Sequence, residues 1–200
     1  MIQTFDFVAG DASLDLVNTL FHRGQPGGPD DLLSEPGAAR RWFVEAGLLS
    51  QAEADQVDQD TAQIAARRLR TALDAIYRPL ARDQADPQGT ARGLSVLNAV
   101  LDQGRERVQL HPASSRSGFA RATRFEVIGP PDPSVSVARA AAELLHRLES
   151  RRLKECENPE CDLLFYDESR NASRRWCSME SCGNQQKQAR FRRRHVAVRS

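Results

Sequence analysis

Aromatic residues are scarce in this chain, at 6% of 200 residues. Its core must therefore rely on Leu, Val, Ile and Ala. Lysine is scarcer: of 28 basic residues, Lys154 and Lys187 alone are lysines. Long apolar runs are missing, and none approaches the ~20 residues needed to span a bilayer. The first residues lack a basic stretch followed by an apolar one, so no secretory signal is expected and the cytoplasm is the expected compartment. What remains is 40% hydrophobic and 28% charged. That balance excludes a wholly disordered, collagen-like or polytopic membrane chain.

Net charge is small, at +1, but charge is unevenly placed. Residues 1–150 carry 16 basic and 20 acidic side chains, whereas residues 151–200 carry 12 basic and 7 acidic ones. Within residues 170–200, nine basic residues face one acid, Glu180. A basic tail on a mildly acidic body suggests a polyanionic partner. The shift in composition near 150 divides the chain into a body, 1–150, and a basic module, 151–200.

In the body, the alternation at residues 3–7 predicts a short strand with Phe5 and Phe7 on one face. Residues 12–22 read as a helix, followed by a Gly/Pro-rich loop at 24–31. Ser34 is a candidate N-cap for a short helix ending at Gly47. Ser50 and Glu53 form a capping box that predicts the start of a long helix. Its clearest period is Leu69, Ala72, Leu73, Ile76, Tyr77 and Leu80. Asp86 and Pro87 open another helix, apolar nearly all round and so expected to be buried. Residues 105–128 alternate as a hairpin, with a Ser/Gly-rich turn at 113–118. Ser134 or Ser136 is expected to cap a last body helix. Strands and helices do not alternate in βαβ order, so the body reads as α+β, helix-rich with a small antiparallel sheet.

All four cysteines lie in the last 45 residues: Cys156, Cys161, Cys177 and Cys182. Two pairs, each spanning four residues and separated by fifteen, suit a four-thiolate metal site better than disulfides in a cytosolic chain. Zinc is the expected ion, and four thiolates would close its shell, making the site structural. An iron–sulfur cluster also takes four thiolates and stays open as an alternative. Residues 163–166 and 174–176 look like short paired strands. The second cysteine pair leads into a basic helix at about 180–195.

The segment from about 153 to 195 resembles the CGNR-type zinc finger. The resemblance rests on the four cysteines together with Phe165, Asp167, Ser169, Arg170, Asn171, Arg174, Arg175, Trp176, Ser178, Gly183 and Asn184. In the body, Gly10 and the run from Leu14 to Thr19 resemble, more loosely, the opening of the ABATE domain. The resemblance implies a treble-clef-like zinc module after an α+β domain, in a family regarded as stress-induced transcription regulators. One departure is Gln185, where the family has an Arg.

Lys187, Arg190 and Arg194 share a helical face, with Arg192 and Arg193 beside them. These five, with Arg170, Arg174 and Arg175 from the turn, are the candidate nucleic-acid contacts. Arg174 or Arg175 could instead pair with Asp167. Trp176, beside a ligand, suits a small core better than base stacking. Asp15 and Asn18 could face a small-molecule pocket, or form a polar helix face with a local hydrogen bond. His22, His111, His146 and His195 are scattered, and no catalytic residue is expected. These readings predict a zinc-stabilised DNA-binding regulator whose body senses a signal or dimerises. An RNA- or protein-binding module and a small-molecule-binding body with an accessory finger are the alternatives.

Overall fold

Helix α1 (Ala12–Val17) occupies the centre of the core in the computed structural model. The structure describes residues 4–112, 119–127 and 132–197, without the side chains of 106–112, 119–127, 190 and 193–197. Asp11 caps α1 by accepting the Ser13 N–H. Leu14, Leu16 and Val17 are fully buried, so the helix is covered on every side. It ends five residues before the expected stop at 22. The Asn18 carboxamide turns instead to the backbone of Leu164. Strand β1 (Leu20–Phe21) then pairs antiparallel with β2 (Asp30–Asp31) across the predicted Gly/Pro-rich loop. No strand forms at 4–8, where the backbone docks on other elements: Ala9 N–H donates to Asp15 and the Val8 carbonyl accepts from Arg174.

Helix α2 (Ala38–Glu45) is capped by Gly37, not Ser34. The φ of +76° at Gly37 is left-handed and suits glycine. The Ser50/Glu53 capping box is present, but it opens a single turn, α3 (Gln51–Ala54). The long helix α4 (Gln59–Ala81) has its own cap, Asp58, which accepts the Thr61 N–H. Its predicted face is buried from Leu69 to Tyr77, while Leu80 is partly exposed. Helix α5 (Pro87–Leu101) buries one face only, through Gly89, Gly93, Leu97 and Val100. At Gly93 a Cβ would lie 2.6 Å from the Ala72 carbonyl, so glycine lets α5 approach α4 closely.

Strands β3 (Gly104–Pro112) and β4 (Phe119–Val127) form the expected antiparallel hairpin, with Gly104 opposite Val127 and Pro112 opposite Phe119. The predicted turn at 113–118 lies outside the described residues. Helix α6 (Ser134–His146) is entered through Asp132, whose carboxylate accepts from the Ser134 N–H and hydroxyl. Neither serine is its cap; Pro133 holds that position.

Beyond residue 150, β5 (Leu153–Glu155) pairs antiparallel with β6 (Leu164–Tyr166). The expected strand at 174–176 does not form. That segment runs beside β5 instead, with the Glu157 N–H donating to the Arg175 carbonyl. Helix α7 (Asn184–Ala197) closes the chain, preceded by a wide turn, Met179–Gly183. The result is a helix-rich fold with small antiparallel strand pairs and a C-terminal cysteine module. One apolar cluster runs through both parts. It joins Leu14, Val17, Leu73, Tyr77 and Leu144 to Leu153, Leu164, Phe165 and Tyr166.

Candidate metal centre and nucleic-acid interface

The first cysteine pair brackets the turn between β5 and β6. Cys156 N–H donates to the Leu163 carbonyl at 2.9 Å, and Cys161 N–H to the Asn158 carbonyl at 2.8 Å. The second pair frames the wide turn before α7, where the Ser178 hydroxyl accepts from Glu180 N–H and Ser181 N–H. These two turns bring the four sulfurs within 4.8 Å of one another. Cys161 Sγ is 3.8 Å from Cys177 Sγ, which is 3.6 Å from Cys182 Sγ. Four thiolates at the ~2.3 Å Zn–S distance of a tetrahedron lie about 3.8 Å apart. A disulfide needs ~2.05 Å, and all four cysteines are free. Without a cation these thiols oppose one another's ionisation. Hydrogen bonding with Cys156 raises the Cys161 and Cys177 thiols, while Cys156 is held low. A dication cancels that repulsion. The four residues are positioned to bind one zinc ion.

Asn158 supports this centre in a way the sequence reading missed. It is buried, and its Nδ2 donates to Cys182 Sγ at 3.3 Å and to Gln185 Oε1 at 3.1 Å. Its Oδ1 accepts from Gln186 Nε2 at 2.9 Å. Gln185 thus sits against the metal turn and helps to seat the first turn of α7. The Cys177 N–H donates to Cys156 Sγ at 3.4 Å. Hydrogen bonds of this kind orient thiolates and spread their charge.

The predicted cations separate into two groups. Arg174 serves the fold: its guanidinium donates to the carbonyls of Val8 (2.8 Å), Trp176 (3.0 Å) and Cys177, and stacks on Phe165. Arg175 pairs with Glu157 and lies over Trp176. Arg170, Lys187 and Arg192 are exposed. Arg190, Arg193 and Arg194 lie on α7, and their side chains fall outside the described residues. Asp167 pairs with neither arginine guanidinium. It is fully buried and accepts from Lys154 Nζ (2.7 Å), Ser169 N–H (2.9 Å) and Arg174 N–H (2.8 Å). Burial opposes its ionisation, but those donors outweigh it and hold the carboxyl well below its usual range.

Asp15 and Asn18 are both buried. Asp15 accepts the Ala9 N–H at 3.0 Å, and burial pushes its carboxyl up to about 7. The Asn18 carboxamide bonds Leu164, 146 residues away, so its side-chain hydrogen bonding is not local. Both line a cavity of about 60 Å³. That is far below the ~300–1,000 Å³ of ordinary ligand sites. A larger cleft of about 660 Å³ lies beside the metal centre, lined in part by Asp6, His22, Glu160, Cys161 and Glu180. No described helix is long and apolar enough to cross a membrane.

Comparison with known families gives two adjoining matches. Residues 10–147 match the ABATE model, described as "Putative stress-induced transcription regulator". Residues 152–195 match the CGNR zinc finger. A comparison with curated proteins finds no match.

Proposed function

This chain belongs to the ABATE family of regulators with a CGNR zinc finger, and from that premise we propose that it is a zinc-containing, DNA-binding transcription regulator that responds to stress. Residues 1–150 act as the sensing or dimerising part, and residues 151–200 as the part that meets DNA. The observation that carries this reading is α7. Its fourteen residues hold Lys187, Arg190, Arg192, Arg193 and Arg194 and no acid. A helix so charged repels itself unless an anionic partner screens it. Its first turn is joined through Gln185, Gln186 and Asn158 to the cysteine centre, so the metal fixes where those cations are presented. The zinc has a structural role, and the protein works by binding and not by catalysis.

A salt titration on duplex DNA tests the proposal. If four to six phosphates are neutralised, log affinity falls with log salt at a slope of roughly −4 to −5. A flat dependence, with the protein folded and zinc-loaded, overturns it. A second reading, a small-molecule-binding body with the finger as an accessory, has one observation in its favour. The cleft of about 660 Å³ beside the cysteines has the size of a ligand site.

A further inference from the structure

We propose that Phe191 is a wedge that α7 inserts between base steps of duplex DNA while neighbouring cations hold the flanking phosphates. This inference rests on the DNA-binding reading above and names the residue that meets the bases.

Phe191 is 63% exposed. A single exposed apolar side chain on a protein surface is ordinary and by itself signifies nothing. Its placement on this helix is what carries the argument. Gln186 and Ala189 are half-buried, and Gln185 and Gln186 bond Asn158, so they mark the side of α7 that packs on the cysteine centre. At 3.6 residues per turn, Phe191 lies about 140–160° around the helix from Gln186 and Ala189. The one aromatic residue of α7 is therefore directed away from the packed side.

Its surroundings specify the partner. Phe191 shares a shallow groove of about 440 Å³ with Lys187, Gln188 and Arg192. Lys187 and Arg192 are exposed cations, and no acid lies on the helix to pair with them locally. A surface that offers cations around a flat π face complements a polymer that offers phosphates around flat π faces. An acidic protein surface supplies the charge without the stacked rings. Phe is among the side chains that wedge base steps apart from the minor-groove side, kinking the duplex as they enter.

The test uses the full-length, zinc-loaded protein and a mixed-sequence duplex carrying 2-aminopurine, a base that brightens when unstacked. The wild type should raise its emission on binding. Phe191→Ala should remove that signal and weaken binding at least about fivefold, as expected for a lost stacking contact. The salt slope should stay unchanged, because no phosphate contact is lost. Lys187→Ala should do the converse, keeping the emission change and flattening the slope by about one. Since Phe191 is exposed, both variants should keep wild-type circular dichroism and zinc content. Salt-dependent wild-type binding with no loss in Phe191→Ala overturns the wedge and leaves the DNA-binding reading standing. Absence of duplex binding by the wild type overturns both. Phe191→Trp with emission that shifts on anionic vesicles or single strands but not on duplex also overturns the wedge.

Discussion

The carboxamide of Asn18 closes a ring of two hydrogen bonds with the backbone of Leu164: Nδ2 donates to the carbonyl at 2.8 Å, and Oδ1 accepts the N–H at 2.8 Å. The end of α1 is thereby bound edge-on to β6, the strand that follows the first cysteine pair. Around this link, Tyr166 N–H donates to the Ala9 carbonyl, and Asp162 accepts the N–H groups of His22 and Arg23. Arg78 of α4 and Arg82, which caps that helix, both reach Glu155 of β5. Helix packing in the body and the position of the metal turn are therefore coupled through named bonds.

Asn18→Ala should destabilise the protein by about 3 kcal/mol, because it leaves two buried backbone groups of Leu164 without partners. Denaturant unfolding of the zinc-loaded protein measures this. Unchanged stability would return Asn18 to the role of a pocket-lining residue.

Zinc removal should be felt throughout the chain. Leu153, Leu164, Phe165 and Tyr166 share one apolar cluster with Leu14, Val17 and Tyr77. Binding of a structural zinc carries apparent energies of ~10–16 kcal/mol in finger peptides, and that energy is linked to folding. A strong chelator should lower the thermal midpoint of a single cooperative transition, with α4 and α7 lost together. Two separate transitions, the later one insensitive to chelator, would mean that residues 1–150 keep their own core.

The Asp15 carboxyl should make stability decline as pH rises from about 4 to about 7. The folded pKa of Asp15 is raised by burial to about 7, from 3.8. Over the window between those values the folded state holds a proton that the unfolded state has released. Its contribution is complete below pH 3.8 and is lost as pH rises to about 7, on the order of 4 kcal/mol. Asp31, Asp162 and Asp167 have the opposite sign, because their folded pKa values are lowered. Their contribution is present above the unfolded value and is lost as pH falls through the folded ones. Asp15→Asn should abolish the decline between about pH 4 and pH 7 and leave the acid limb in place. Unfolding at several pH values, with bound zinc assayed at each, decides the matter. A decline that persists in Asp15→Asn assigns it to another group.

The metal ligands could be read from sequence because coordination is local. Each pair sits on one turn, and the spacing within a turn is fixed by backbone geometry. The face of α4 from Leu69 to Tyr77 was legible for a similar reason, since helical period is a property of neighbours. Asn18 was not legible. Its partner Leu164 is 146 residues distant, and the apolar residues after it continue the helical pattern that the structure abandons at Val17. Helix α5 misled for the converse reason. Leu94 is apolar and in phase, yet it is partly exposed because α4 covers the Gly93 side alone. Asn158 had no signal beyond its place between Cys156 and Cys161.

Arg174 tests whether a cation near the metal centre serves the fold or the partner. Its guanidinium spans three carbonyls, those of Val8, Trp176 and Cys177, and stacks on Phe165. Lysine keeps the charge but cannot form that planar fork. Arg174→Lys should therefore cost about 2 kcal/mol of stability while the salt slope of duplex binding stays as in the wild type. Arg170 is exposed, and Arg170→Ala should change stability by no more than ~0.5 kcal/mol. If Arg170 touches a phosphate, its removal flattens the slope by about one. Unfolding curves and salt titrations of both variants separate the roles. An Arg174→Lys protein of full stability that binds duplex weakly would show that this guanidinium reaches the partner after all.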